Sequence, residues 1–429
     1  MDDRAGVSWP SQELTRIPYK LYTDTEQYAL ENERIFKGPV WHYLCLANEV
    51  REPGSFFASG IGETPILVTR DETGAINAMV NRCAHRGALL CMERRGKAKL
   101  LSCVYHNWSY DLKGNLRAVA FKNGVKGLGG MSPEFEMEKN GLRKLRVTEF
   151  SGLVFGTFSD ETPPIEDYFG EEISRCIKRV LGRPLKVIGR NTQVLHSNWK
   201  IYMENVKDSY HASILHMFFT TFRINRLSTK GGIIMSPEGG HHVSYNMMDT
   251  AIDNADYKDQ KLRADKEGGL TLADPSLIEG VDENGDGITL QILGAFPTFI
   301  VQQIQNAIAV RQVLPRGVDK CELVWTYLGY EGDDEEMTAR RIKQGNLTGP
   351  AGYISLEDGA VVAFVQRAIR GVDEDCEVVM MGGTNVESQP YRTTETSIRG
   401  FWKKYRSLME GAGWPSNQPG NSSANRAAE

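Results

Sequence analysis

Apolar positions Tyr28, Ile35 and Phe36 stand at helical spacing behind an acidic lead, which predicts a helix over Asp24–Lys37. The pattern then changes to the short apolar runs of strands. Ile66–Arg70 and Ala75–Val80 flank Asp71-Glu72-Thr73-Gly74, a hairpin signal. A second hairpin is predicted where Lys113-Gly114-Asn115 follows Trp108-Ser109-Tyr110. Asp160-Glu161-Thr162-Pro163-Pro164 breaks regular structure and marks a boundary. Helical segments follow it, and then strand-rich stretches such as Ile288–Leu293 and Thr298–Leu314. From Gly411 onward the chain is rich in Gly, Pro, Ser and Asn, and disorder is expected over 417–429. The pattern divides into a helical segment over 1–37, a strand-rich unit over 38–157 and a mixed unit over 158–416, an α+β protein.

At 429 residues, two domains are the natural expectation. A net charge of −5 gives no argument for nucleic acid or a membrane surface, and no apolar run approaches the roughly 18 residues that span a bilayer. Met1-Asp2-Asp3-Arg4 has neither the basic start nor the apolar core of a secretory leader, so a cytoplasmic location is expected. Of the seven cysteines, Cys45, Cys91, Cys176, Cys321 and Cys376 have no framework spacing and are expected as reduced thiols, while the other two stand in motifs.

Those two cysteines belong to the strongest signal in the chain. Cys83-Ala84-His85 and Cys103-Val104-Tyr105-His106 present two thiols and two imidazoles as C-x-H and C-x-x-H. One zinc ion accepts any four such ligands. A Rieske [2Fe–2S] cluster takes two Cys on one iron and two His on the other, and alternation within each loop favours it. A second set reads Asp208-x2-His211-x4-His216. Asp208 and His211 are spaced to share a helix face. His211 and His216 stand about 140° apart on an ideal helix, so a shared metal requires a break between Ala212 and Leu215. Two histidines and a carboxylate with open positions suit non-haem Fe(II).

Asp282-Glu283-Asn284-Gly285-Asp286-Gly287 begins like a calcium loop, but its twelfth position is Leu293, so a turn is expected. His241-His242 has no partner at ligand spacing and reads as a loop or strand edge. No G-x-G-x-x-G opens a helix, so a dinucleotide site is not expected in this chain. Arg311 alternates with Ala309 and Val313 on one strand face, and Arg399 flanks the apolar stripe of the last helix.

NRCAHRGA, CVYHNWSY, NWKIYMENVKDSYHASILHMFFTTF and GPAGYISLEDGAVVAFVQR resemble the large (α) subunits of Rieske non-haem iron ring-hydroxylating oxygenases over nearly the whole chain. Within that family the resemblance is greatest to the terephthalate-oxidising branch, with anthranilate and salicylate oxygenases further away. It implies an antiparallel Rieske domain and a helix-grip catalytic domain with a curved antiparallel sheet. Positions Ala88 and Tyr105 lack the disulfide of respiratory Rieske proteins. The resemblance implies His211, His216 and Asp358 as iron ligands, with Glu357 as the fallback and Gln366 eight residues beyond Asp358. It makes Asp208 a link between a Rieske histidine of one subunit and an iron-ligand histidine of the next. Arg311 and Arg399 become clamps on the two carboxylates of terephthalate. The implied reaction is cis-1,2-dihydroxylation with O2 and with NAD(P)H acting through a separate reductase, by an α3β3 assembly with a small β subunit.

Overall fold

The computed structural model describes residues 7–10, 13–222, 224–248, 257, 259, 260, 270, 272–372 and 375–410. The stretch expected to be disordered, 417–429, lies outside them. Helix α1 spans Thr25–Arg34, with the Asp24 carboxylate accepting from the Glu26 and Gln27 amides as its N-cap.

Two seven-stranded antiparallel sheets follow. The first comprises β1 (His42–Leu46), β2 (Ser55–Ile61), β3 (Thr64–Arg70), β4 (Ile76–Val80), β5 (Arg95–Lys97), β6 (Lys144–Phe150) and β7 (Leu153–Thr157), in the order β1-β7-β6-β4-β3-β2-β5. Asp71 closes the β3–β4 hairpin by accepting from the Thr73 and Ala75 amides. Above this sheet, short strands Leu101–Ser102, Ser109–Tyr110 and Leu116–Ala118 form a separate lobe. It shares a second hydrophobic core with β3 and β4, in which Leu101, Trp108 and Tyr110 pack with Leu67 and Met79.

Helix α2 (Ile165–Leu181) leads into the second sheet. Its strands are β8 (Leu185–Leu195), β9 (Gly231–Met235), β10 (His242–Met247), β11 (Ile288–Ala295), β12 (Phe299–Ile304), β13 (Ala307–Pro315) and β14 (Cys321–Tyr330), in the order β8-β14-β13-β12-β11-β10-β9. This is a curved half-barrel. Helices α3 (Trp199–Lys207), α4 (Ala212–Leu215), α5 (Met217–Thr221), α6 (Glu335–Thr348), α7 (Tyr353–Ala368) and α8 (Thr396–Met409) complete the unit. One buried core joins residues of both sheets with α1, α3 and α8.

The two decoys are structural. Asp282 accepts from the Asn284, Gly285 and Gly287 amides, which makes the acidic run a turn before β11. His242 opens β10 inside the sheet rather than at its edge, and His241 Nδ1 accepts from the Phe296 amide.

A close acid pair, Glu204 buried and Glu377 half-buried, lies near the N-terminal segment. The Tyr22 hydroxyl is 2.7 Å from Glu204 and 2.9 Å from Glu377, and Trp402 Nε1 donates to Glu204. One hydroxyl supplies one proton, so two anions around it are not both satisfied. Burial pushes Glu204 up to about 7, and burial together with the Glu204 charge holds Glu377 well above the carboxylate range. Both folded values exceed the unfolded value of about 4.3, so the stabilisation from bound protons is present below that pH and is lost as pH rises through the folded values. The Tm is expected to fall as pH rises from about 5 through 7, and Glu377→Gln should flatten that fall. Parallel Tm-against-pH curves for the two proteins would contradict this account.

Candidate metal centres and reaction cavity

The two cysteine loops fold alike. The Cys83 amide donates to Ala88 O at 2.8 Å, and the Cys103 amide to Trp108 O at 2.8 Å. Gly87 N–H returns to Cys83 O, and Asn107 N–H to Cys103 O. Four residues after each cysteine the chain takes a positive φ, 76° at Gly87 and 55° at Asn107. Equivalent turns thus present Cys83 with His85 and Cys103 with His106.

Both cysteines are buried, while His85 is exposed and His106 half-buried. The imidazoles meet edge-on with centroids 4.6 Å apart, and His85 stacks on Trp108 at 4.8 Å. His106 Nδ1 has no hydrogen-bond partner. Among the described residues, the His/Cys/acid group gathered within 4.8 Å is His211, His216 and Asp358, so these four donors are spread more widely. Thiolates on one tetrahedral zinc lie about 3.8 Å apart. The donor set and its spread therefore fit a two-iron cluster better than one zinc ion.

The second set is assembled from two segments. Helix α3 begins at Asn198, whose side chain accepts from the Lys200 amide, and ends at Asp208 with extended φ/ψ of −83° and 99°. Asp208 Oδ1 accepts from the Tyr210 amide at 2.8 Å and the His211 amide at 3.2 Å, which turns the chain. Ala212–Leu215 forms one helical turn between His211 and His216, and His216 at φ −84°, ψ 79° separates it from α5. The expected break between Ala212 and Leu215 is therefore displaced to either side of that turn. Asp208 and His211 do not share a helix face; the carboxylate reaches the ring across a capped turn.

Asp358 comes from α7. Gln366 Oε1 accepts from the Asn198 amide at 2.6 Å and the Asn205 side chain donates to Asp358 at 3.2 Å, fixing α7 against α3. A Cβ at Gly359 would lie 2.6 Å from Gln193 Nε2 and 3.2 Å from Leu195 Cδ2, so a larger residue after Asp358 would push these two β8 side chains aside.

His211 Nε2 lies 3.4 Å and His216 Nε2 3.3 Å from the same oxygen, Asp358 Oδ1. Each ring's other nitrogen faces a further acid. His216 Nδ1 is 2.7 Å from Glu357 Oε2, and His211 Nδ1 is 3.2 Å from Asp208 Oδ2, the latter without aligned hydrogen-bond geometry. Asp358 joins the two histidines, and the fallback acid, Glu357, instead supports one of them. Burial opposes the His211 imidazolium, but Asp208 and Asp358 outweigh it and push its pKa up to about 10. The two imidazoles hold Asp358 well below the usual carboxylate range despite its burial. Three donor groups converging on one point, with acids behind both rings, fit a divalent iron held by two His and one carboxylate.

A cavity opens beside these groups, with apolar walls that include Phe219, Leu290, Ile292, Ile304, Trp325 and Ile354. Its free volume is about 50 Å³. Arg311, on β13, lines it and is buried. Tyr202 accepts from its Nη1 at 2.7 Å, and its guanidinium lies 4.7 Å from the Trp325 ring. Arg399 is not among the lining residues: it donates to the Asn385, Val379 and Met381 carbonyls, tying α8 to the preceding segment.

Arg392 lines the cavity in its place. It donates to Asn225 Oδ1 and to the Arg226 and Thr229 carbonyls, and burial lowers its pKa to about 10, which leaves it cationic at neutral pH. Neither Arg311 nor Arg392 has a carboxylate partner among the described residues, and the Nε of each is buried without an acceptor. Arg392 sits in coil between Pro390 and α8, where no periodicity singles it out.

A Rieske [2Fe–2S] domain model matches residues 40–128, and the model of the ring hydroxylating alpha subunit (catalytic domain) matches residues 183–411. The chain belongs to the ring-hydroxylating oxygenase α subunits. It is 55% identical to the terminal oxygenase component subunit alpha 2 of terephthalate 1,2-dioxygenase from Comamonas sp., over 94% of this chain and 97% of that one. It is 44% identical to the anthranilate 1,2-dioxygenase large subunit of Burkholderia cepacia, over 95% and 96%. Naphthalene 1,2-dioxygenase from Rhodococcus sp. shares the fold, with a TM-score of 0.77 at 21% identity over 93% of this chain and 95% of that one. This α subunit is accordingly a dioxygenase component with a Rieske [2Fe–2S] domain and a mononuclear-iron catalytic domain. No helix among its described residues is long and apolar enough to cross a membrane.

Proposed function

We propose that this α subunit catalyses the O2-dependent cis-1,2-dihydroxylation of a para-dicarboxylate, terephthalate, with electrons drawn from NAD(P)H through a separate reductase. The observation that carries the reading is the pair of buried guanidiniums, Arg311 and Arg392, that line the cavity beside His211, His216 and Asp358 without a carboxylate of their own. Two uncompensated cations in an apolar cavity call for two anionic groups on the ligand. The 55% identity to the Comamonas protein supports the same substrate. A salicylate or anthranilate hydroxylase needs one carboxylate clamp, and Arg392 is what favours two.

Cys83, His85, Cys103 and His106 would hold the cluster, and His211, His216 and Asp358 the iron. When bound, the cluster supplies one-electron transfer and the iron supplies open coordination for dioxygen. The protein's own part is positional. Asp208 and Glu357 orient the two imidazoles. Tyr202 and Trp325 fix the Arg311 fork, and the apolar walls exclude water around the ring. The assembly we propose is α3β3 with a small β subunit, in the cytoplasm. Asp208 remains 21% exposed beyond its contact with His211, which supports a second role as the link to a cluster histidine of the neighbouring subunit.

The direct test is oxygen uptake with product identification over benzoate, the three phthalate isomers, salicylate and anthranilate. Turnover led by terephthalate with a cis-dihydrodiol product is expected; a wild-type preference for salicylate or anthranilate overturns the reading. Asp208→Asn keeps the side chain's size but removes its charge from behind His211. It is expected to lower metal affinity or activity by about 10–100-fold, read as iron content and NAD(P)H-driven turnover. Wild-type values for both would remove Asp208 from any positioning role.

A further inference from the structure

Strands β13 and β14 present side chains alternately to two cavities. Arg311 and Trp325 line the reaction cavity on one face. Gln312, Val324 and Thr326 line a second cavity on the other, along the seam with the first sheet. The seam is held by Gln312, whose amide donates to Tyr43 O at 2.7 Å and Gly60 O at 3.0 Å. The seam cavity has a free volume of about 230 Å³. Benzene is accommodated in an engineered cavity of roughly 150 Å³.

Tyr43, Leu44, Phe57 and Leu314 give this cavity ring-sized apolar surfaces, and Arg94, Arg190 and Arg316 also line it. Two of the three arginines are paired: Arg190 with Glu49 at 2.6 Å and Arg316 with Glu322 at 2.9 Å. Arg94 stands just before β5 and has no side-chain hydrogen bond or ion pair among the described residues. Desolvation and the nearby Arg190 disfavour its charge, while Glu49 and Glu322 favour it. Three cations against two carboxylates leave one positive charge unanswered.

We propose that the seam cavity is a second ligand site, taking a monoanionic aromatic carboxylate with its ring on the Tyr43 and Phe57 side and its carboxylate on Arg94. Inorganic phosphate leaves the aromatic wall unused. A dianion brings its second charge towards Glu49 and Glu322. The two cavities therefore differ in charge: the reaction cavity carries two unanswered guanidiniums and the seam one. The seam site also adjoins the first cluster loop. Asn81 lines it and exchanges hydrogen bonds with Cys91, receiving the Cys91 amide at 3.0 Å and donating to its carbonyl at 2.8 Å.

The test is equilibrium dialysis of the intact, metal-loaded protein against radiolabelled benzoate. Two benzoates per chain are expected in the wild type. Arg94→Ala, at an exposed position, should weaken one site by about tenfold or more and leave the other unchanged. Arg311→Ala should do the reverse, so failure of the seam site and failure of the reaction-cavity reading are told apart. Neutral benzamide should not compete at the seam, and phosphate should compete poorly. The proposal is overturned if the wild type binds one benzoate that is lost with Arg311→Ala, if Arg94→Ala binds both with wild-type affinity, or if phosphate displaces the seam ligand as readily as benzoate does.

Discussion

Asp358→Ala is expected to abolish turnover and to empty the mononuclear site while the Rieske spectrum and the fold persist. Asp358 Oδ1 is the atom that both imidazoles face, at 3.4 Å and 3.3 Å, so its loss removes the anion that draws His211 and His216 to one point. The histidines then keep their Asp208 and Glu357 contacts, and the site lacks the carboxylate proposed as its third ligand. With the cluster loops in a lobe that packs on the second hydrophobic core, cluster content should not change. Iron analysis per chain reads this as a fall from three to two, alongside an unaltered visible spectrum. Glu357→Ala gives the contrast: it strips one supporting acid from His216, and a partial loss of about 10–100-fold is expected. If Asp358→Ala retained three irons and Glu357→Ala did not, the ligand assignment would have to be exchanged between the two acids.

The parts of the site that could be read from the sequence are those whose chemistry is carried by short spacings. C-x-H and C-x-x-H present their proposed ligands in single turns, and Gly87 and Asn107, the residues that take positive φ, follow just after those motifs. The His211/His216 pair stands out as a candidate metal set through its combination with the two Cys/His loops and the family resemblance; helical spacing alone sets the two rings about 140° apart. The position of the break was misread. Asp208-Ser209 is a capping sequence, and the Asp208 oxygen that accepts the 210 and 211 amides ends α3 before the first histidine.

The choice between Arg399 and Arg392 was out of reach for a different reason. Arg399 lies on a strongly patterned helix and therefore drew notice, but its donors go to carbonyls of the segment leading into that helix. Arg392 lies in that irregular segment, and its place on the cavity depends on how the coil returns past Asn225 and Thr229. No periodicity records such a path. The antiparallel strands were visible as alternation and turn residues, whereas the curving of the second sheet into a half-barrel leaves no local pattern in the sequence.

Arg392→Ala should hurt terephthalate much more than benzoate. In the proposed complex each guanidinium meets one carboxylate inside a dry cavity, and stripping one partner from a buried charge pair costs about 3–5 kcal/mol, two or more decades in affinity. Benzoate has one carboxylate and can lose at most one of these contacts, so one of the two arginine variants should leave its kcat/KM nearly unchanged. Arg311 is held by the Tyr202 hydroxyl at 2.7 Å and by Trp325 at 4.7 Å, a pre-set fork on a strand. Arg392 is held by Asn225 and two carbonyls on a coil. Arg311 is therefore the better candidate for the carboxylate shared by mono- and dicarboxylates, and Arg311→Ala should impair both. The ratio of kcat/KM for terephthalate to that for benzoate cancels general damage to the fold, because an unfolded fraction lowers both equally. That ratio is expected to fall at least about a hundredfold in Arg392→Ala and to change little in Arg399→Ala, whose side chain does not line the cavity. A fall in the ratio confined to Arg399→Ala would restore the last helix as the second clamp, and equal losses on both substrates in every variant would return the enzyme to the single-carboxylate hydroxylases.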